Sequence, residues 1–161
     1  MTMTMPTRRA LVGAALTTLA LMTCAVARAE DTAPAVASQA HYGAIFQIDS
    51  GSPGAIKKTL NNIENLLHDP RLKGKVQVEL IANAQGFAAY VKNNGFEQKL
   101  QALQQQGVLL AQCANTLREL HVDRNDLYPF ITVVPSGMGE ITIREAAGWA
   151  YIHPSTPNPG F

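Results

Sequence analysis

Charge is scarce in this chain. Of its 161 residues only 16% are charged, and the formal net charge is +1. No basic stripe offsets that balance, which argues against an electrostatic nucleic-acid binder. So little charged surface also favours a closed, symmetric homo-oligomer that buries part of the exterior. Cysteine is scarcer still, with only Cys24 and Cys113. There is no C-x-x-C, no H-E-x-x-H and no Cys/His cluster, so neither a zinc site nor a dithiol redox centre has support, and no cofactor is expected. The four histidines, His41, His68, His121 and His153, are dispersed. Each reads as a surface or helix-end residue. His121 lies about two helical turns beyond Cys113, too far along one helix to act as its base. No internal repeat is visible.

The first 29 residues read as an export signal. Arg8 and Arg9 form a positive n-region, an acid-free apolar stretch runs from Ala10 to Ala27, and Ala27-Arg28-Ala29 is an A-x-A site. Cleavage is expected after Ala29, which places the mature chain in the periplasm with no membrane contact. An uncleaved anchor is the alternative, but Gly13, Thr17, Thr18 and Thr23 make the stretch marginal as a span. Thr7-Arg8-Arg9 hints at twin-arginine export, and Leu21-Met22-Thr23-Cys24 at lipidation; both fit loosely. Residues 30–40 have no apolar period and read as a flexible linker. The proline-rich residues 155–161 read as a tail. The domain expected between them covers residues 41–154.

Within that domain strands and helices alternate. Tyr42–Ile48 reads as a strand, and Ile56, Leu60, Ile63 and Leu67 mark a helix ended by Asp69-Pro70. Val76–Ala82 is a second strand. A short helix carries Phe87, Tyr90 and Val91, and Phe96, Leu100 and Leu103 mark another, stopped by Gly107. Residues 108–112 are a third strand. A helix burying Leu117 and Leu120 follows, and Asp123 caps a short turn. Ile131–Val134 is a fourth strand, and a final helix is expected from Glu140 to Ile152, with Glu140 and Arg144 paired at i,i+4. Such alternation implies an α/β fold, a three-layer sandwich of a mostly parallel sheet with helices on both faces. Ligands bind beyond the strands' carboxyl ends in such folds. Four loops are therefore expected to converge: Asp49–Gly54, Asn83–Gly86, Cys113–Thr116 and Ser136–Gly139. They carry amides, hydroxyls and one thiol, a mix suited to a small anionic or polarisable group.

Cys113 stands where the third strand gives way to a helix. Unpaired N–H groups and the helix dipole there favour the thiolate, the nucleophilic form. With Cys24 in the segment expected to be removed, the thiol has no internal partner. The competing reading is a small apolar residue packed at a strand end. Asn115 and Thr116 are open to two readings, as donors that orient a sulfur species or as first-turn caps. Ser136 and Gly137 read either as an amide nest beside the thiol or as a strand-to-helix turn. Asn83 and Gly86 either line the same crevice or only make its turn. Trp149 and Tyr151 read as an amphipathic anchor in a core or an interface.

Four stretches give the chain a resemblance to the DsrE/DsrF-like family of small sulfur-relay α/β proteins. They are the opening strand with the helix Gly54–Leu67; Val78 to Asn83 with Gly86; Gly107 to Leu117, including Cys113-Ala114-Asn115-Thr116-Leu117; and Val134-Pro135-Ser136-Gly137 through Gly148-Trp149-Ala150-Tyr151-Ile152. The resemblance covers roughly residues 42–153. It implies a four- or five-stranded sheet, assembly as trimers or hexamers, and a cysteine after the third strand that carries persulfide sulfur, the position of Cys113. It also implies a sulfur donor or acceptor, either a protein or a small sulfur compound. The relay members are cytoplasmic heteromers, whereas this chain reads as exported. A non-catalytic module with an inert cysteine, and a single-thiol redox sensor, are the alternative functions.

Overall fold

The structure is a computed structural model and describes residues 34–154. The expected signal segment, Cys24 and the 155–161 tail lie outside the described residues. Of the expected linker, 34–40 contains no helix or strand and is mostly exposed.

Five parallel strands form one sheet: β1 (Tyr42–Ile48), β2 (Val76–Ala82), β3 (Leu109–Cys113), β4 (Thr132–Val134) and β5 (Ala150–Ile152), in the order β4-β3-β2-β1-β5. Four α-helices connect them: α1 (Pro53–His68), α2 (Glu97–Gln105), α3 (Ala114–Glu119) and α4 (Gly137–Ala146). Ser52 opens α1 by accepting a hydrogen bond from the Ala55 N–H (3.1 Å), with Pro53 at the first helical position. The expected short helix after β2 is a 3-10 segment, Ala84–Ala89.

Chain direction explains the layering. From β1 to β4 each new strand is added on the same side, so right-handed crossovers put α1, α2 and α3 on one face. The step from β4 to β5 runs back across the sheet, and α4 crosses on the other face. The packing agrees: Ile56, Leu60, Ile63, Leu100, Leu103 and Leu117 share a large core with Phe46 and Leu80, whereas Ile141 of α4 packs with Ile45, Ile81 and Ala111. Residues alternate along β2, with Val78, Leu80 and Ala82 facing the large core and Ile81 the small one. The α/β sandwich read from the sequence is thus the fold, with three helices on one face and one on the other.

The end of the chain departs from expectation. A helix from Glu140 to Ile152 is not formed; α4 stops at Ala146 and β5 follows. Gly148 (φ +84°) closes α4 in a Schellman turn, its N–H donating to Glu145 O (2.9 Å) and the Trp149 N–H to Arg144 O (3.0 Å). The released residues pair with β1, Ala44 opposite Ala150 and Phe46 opposite Ile152. Gly43 admits the Trp149 ring: a Cβ there would lie 2.3 Å from it. The same closure ends α2 at Gly107 (φ +90°) and α3 at His121, a non-glycine residue held at φ +53°.

Candidate functional site

The loops after β3 and β4 leave toward opposite faces of the sheet, so a crevice opens between two neighbouring strands. This is the topological switch point, where parallel α/β sheets bind their ligands. Cys113 is the last residue of β3 and the N-cap of α3, and Ser136 is the N-cap of α4. A cleft of about 340 Å³ lies there, lined by Asn83, Cys113, Asn115, Thr116 and Ser136, with Ala84 and Gln85 on one side and Glu119, Leu120 and Met138 at its mouth.

Cys113 has no disulfide partner among the described residues and is only 6% exposed, so its sulfur forms the floor of this cleft. Burial pushes the thiol pKa up. The N–H groups of Gly137, Thr116 and Asn115 and the Thr116 hydroxyl push it down by hydrogen bonding to sulfur, and they prevail, leaving it below the ordinary thiol value. The donors come from the first turns of two helices. Since α3 has six residues, close N–H groups and not a long dipole supply the effect. Gly137 packs closely here: a Cβ on it would lie a tight 3.2 Å from that of Cys113 and in ordinary contact, 3.5 Å, with that of Asn83.

The candidate residues divide. The Thr116 hydroxyl does not cap α3; it accepts from the Ala84 N–H (3.0 Å), which locks Ala84 in its left-handed conformation (φ +46°) beside the cleft. Asn115 faces the sulfur through its backbone N–H, while its side-chain oxygen accepts from Arg118 (2.8 Å). Ser136 spends its hydroxyl as a cap, accepting from the Gly139 N–H (3.2 Å). Asn83 does not cap the 3-10 segment; its Oδ1 accepts from Gln47 Nε2 (2.8 Å). Gly86 is outside the cleft. It is glycine because a Cβ there would lie 2.0 Å from Ile48 O.

Two further expectations are corrected. The loop after β1 does not join the other three: Asp49 and Ser50 line a separate cavity of about 200 Å³ with His153, whose Nε2 lies 3.1 Å from Asp49 Oδ1. Leu120 is not buried. It is 39% exposed at the cleft mouth, because α3 ends one residue before it.

Sequence reasoning missed a buried charge cluster beneath α4. Glu79 of β2 is fully buried, and Arg144 Nε donates to its Oε2 (2.7 Å) and to Glu140 Oε1 (3.1 Å), the latter being the expected i,i+4 pair. The guanidinium also lies 4.4 Å from the Trp149 ring centroid. Among the described residues Glu79 Oε1 has no hydrogen-bond partner. Burial pushes the Glu79 pKa up to about 7, against the attraction of Arg144 and with help from Glu140. The one available signal was an acid inside an apolar strand.

The fold and site define a small parallel α/β protein with a thiol at its switch point. No family model matches the chain and no curated protein does. Among solved structures it is similar to a protein of unknown function from Methanobacterium thermoautotrophicum, with 33% identity and a TM-score of 0.65, over 70% of this chain and 99% of that one. The two chains belong to one family.

Proposed function

We propose that this chain is a DsrE-like sulfur carrier or sulfur-compound binder that is exported to the periplasm and works through Cys113. The observation that carries the reading is the thiol on the floor of a cleft, held below its ordinary pKa by four donors from the first turns of α3 and α4. The thiolate attacks the outer sulfur of a persulfide donor R–S–SH. A new S–S bond forms on Sγ, the donor S–S bond breaks, and the donor leaves as R–S⁻ with the electron pair. Cys113 then holds –S–SH, and no outside oxidant or reductant is needed.

The test is mass spectrometry of the mature protein after incubation with polysulfide or thiosulfate. A gain of one sulfur on the wild type, absent in Cys113→Ser, is expected. No adduct, together with slow alkylation by iodoacetamide at neutral pH, would leave the inert-module reading. A thiol that alkylates quickly and takes peroxide but not sulfur would favour the sensor.

The same reading includes a homo-trimer or hexamer. Met138 (52% exposed) and Ile143 (66% exposed) stand out from α4, and Val133 and Tyr151 from the edge strands. These are the surfaces such an assembly would cover. Light scattering at tens of micromolar is expected to show three or six chains, and a monomer mass would refute it.

A further inference from the structure

Asn83 lines the thiol cleft, yet it makes no hydrogen bond to Sγ; the donors on sulfur are Gly137, Thr116 and Asn115. Its amide is nonetheless held. Gln47 Nε2, buried at the end of β1, donates to Asn83 Oδ1 (2.8 Å), and the Tyr151 hydroxyl of β5 donates to Gln47 Oε1. The Tyr151 pKa is pushed up by burial and then by the charges of Asp49 and Glu145, so the hydroxyl keeps its proton and remains the donor. This three-residue relay occupies the acceptor end of Asn83. Among the described residues Asn83 Nδ2 has no hydrogen-bond partner, so its N–H bonds are left for the cleft that Asn83 lines, since an amide presents its oxygen and its NH₂ on opposite sides.

A thiolate on Sγ already has its donors. A second sulfur attached to Sγ reaches further into the cleft and carries the charge of the persulfide anion. We infer that Gln47 and Tyr151 are positioning residues that turn the Asn83 Nδ2 group toward the outer sulfur of a Cys113 persulfide. The inference rests on the carrier reading and deepens it, because it assigns separate donors to the empty and the loaded forms. A hydrogen bond to a charged acceptor is stronger than one to a neutral acceptor, so Asn83 lowers the pKa of the persulfide. It leaves the pKa of the thiol alone.

Gln47→Glu separates these effects. A carboxylate has no donor for Asn83 Oδ1, so the Asn83 amide reverses and points its oxygen at the outer sulfur. The measurement is the pH profile of iodoacetamide alkylation, by mass spectrometry, of the empty protein and of protein loaded with polysulfide. In Gln47→Glu the persulfide profile is expected to move up by about one pH unit, a tenfold loss of anion at a fixed lower pH. The thiol profile is expected to stay in place, which also shows that the variant folds. Gln47→Met, which releases Asn83 without reversing it, is expected to move the persulfide profile less. A double-mutant cycle excludes a through-space effect of the new charge: on an Asn83→Ala background, Gln47→Glu is expected to add no shift. An unmoved persulfide profile, equal movement of both profiles, or a shift that survives Asn83→Ala would each overturn the inference. A wild type that alkylates readily but never loads sulfur would instead remove the carrier reading, and the inference with it.

Discussion

The two faces of the sheet are built to different standards. Under α1, α2 and α3 lies a continuous apolar core running from Ile56 and Leu60 to Tyr128 and Ile131. Under α4 the buried apolar residues are Ile45, Ile81, Ala111 and Ile141, and the rest of that face carries polar chemistry: Glu79 with Arg144, and Cys113 with Gly137. The difference teaches a division of labour. Apolar burial at roughly 25 cal/mol per Å² makes the first face the source of stability. The second is covered by a single helix, and it is there that the chain places its buried ion pair and its thiol.

Removing core volume from each face tests this most severely. Leu60→Ala, on a fully buried side chain of the large core, is expected to cost about 4 kcal/mol. Ile141→Ala, on the thinly covered face, is expected to cost about 2 kcal/mol, because the single helix covering that face can settle onto the sheet and the site is already near solvent. Denaturant titration of both variants checks it, and equal losses would erase the distinction.

The charge cluster gives the next largest effect, and its sign follows from Glu79. The folded pKa of about 7 lies above the ordinary 4.5, so the folded state binds this proton more tightly than the unfolded chain does. Stability from this group is full below about pH 4.5, declines as pH rises, and is lost above about pH 7. The span is on the order of 3 kcal/mol. Glu79→Gln is expected to flatten that slope. Arg144→Met is expected to cost about 3 kcal/mol at pH 8, where it strands a buried carboxylate, and about 1 kcal/mol at pH 5, where Glu79 is neutral. Thermal melts across this range decide the matter; a cost independent of pH would mean that Glu79 does not titrate there.

The smallest effect belongs to the first face. His121 holds the left-handed position that closes α3, a conformation glycine adopts without a Cβ penalty. His121→Gly is expected to raise stability by about 0.5 kcal/mol, partly offset by glycine's greater freedom in the unfolded chain. A loss of stability would show that the imidazole makes a contact worth more than the strain.

How far the chain could be read depended on the range of each interaction. Apolar spacing at Ile56, Leu60 and Ile63, the alternation of strand and helix, the glycine stop at Gly107 and the place of Cys113 at a strand end are properties of neighbouring residues, and they determined the α/β class and the candidate thiol. The last strand was illegible because Ala150-Tyr151-Ile152 continues an apolar pattern compatible with a helix; only pairing with β1 makes it a strand. For the same reason Gln47 and Tyr151 were invisible as site residues, being 104 positions apart until the sheet closes. Tertiary structure also decided that the loop after β1 stays out of the cleft and that Glu79 is buried against Arg144. Local sequence determines which backbone conformations are cheap, whereas which distant polar groups share a buried space is decided only when the packed layers force them to be satisfied together.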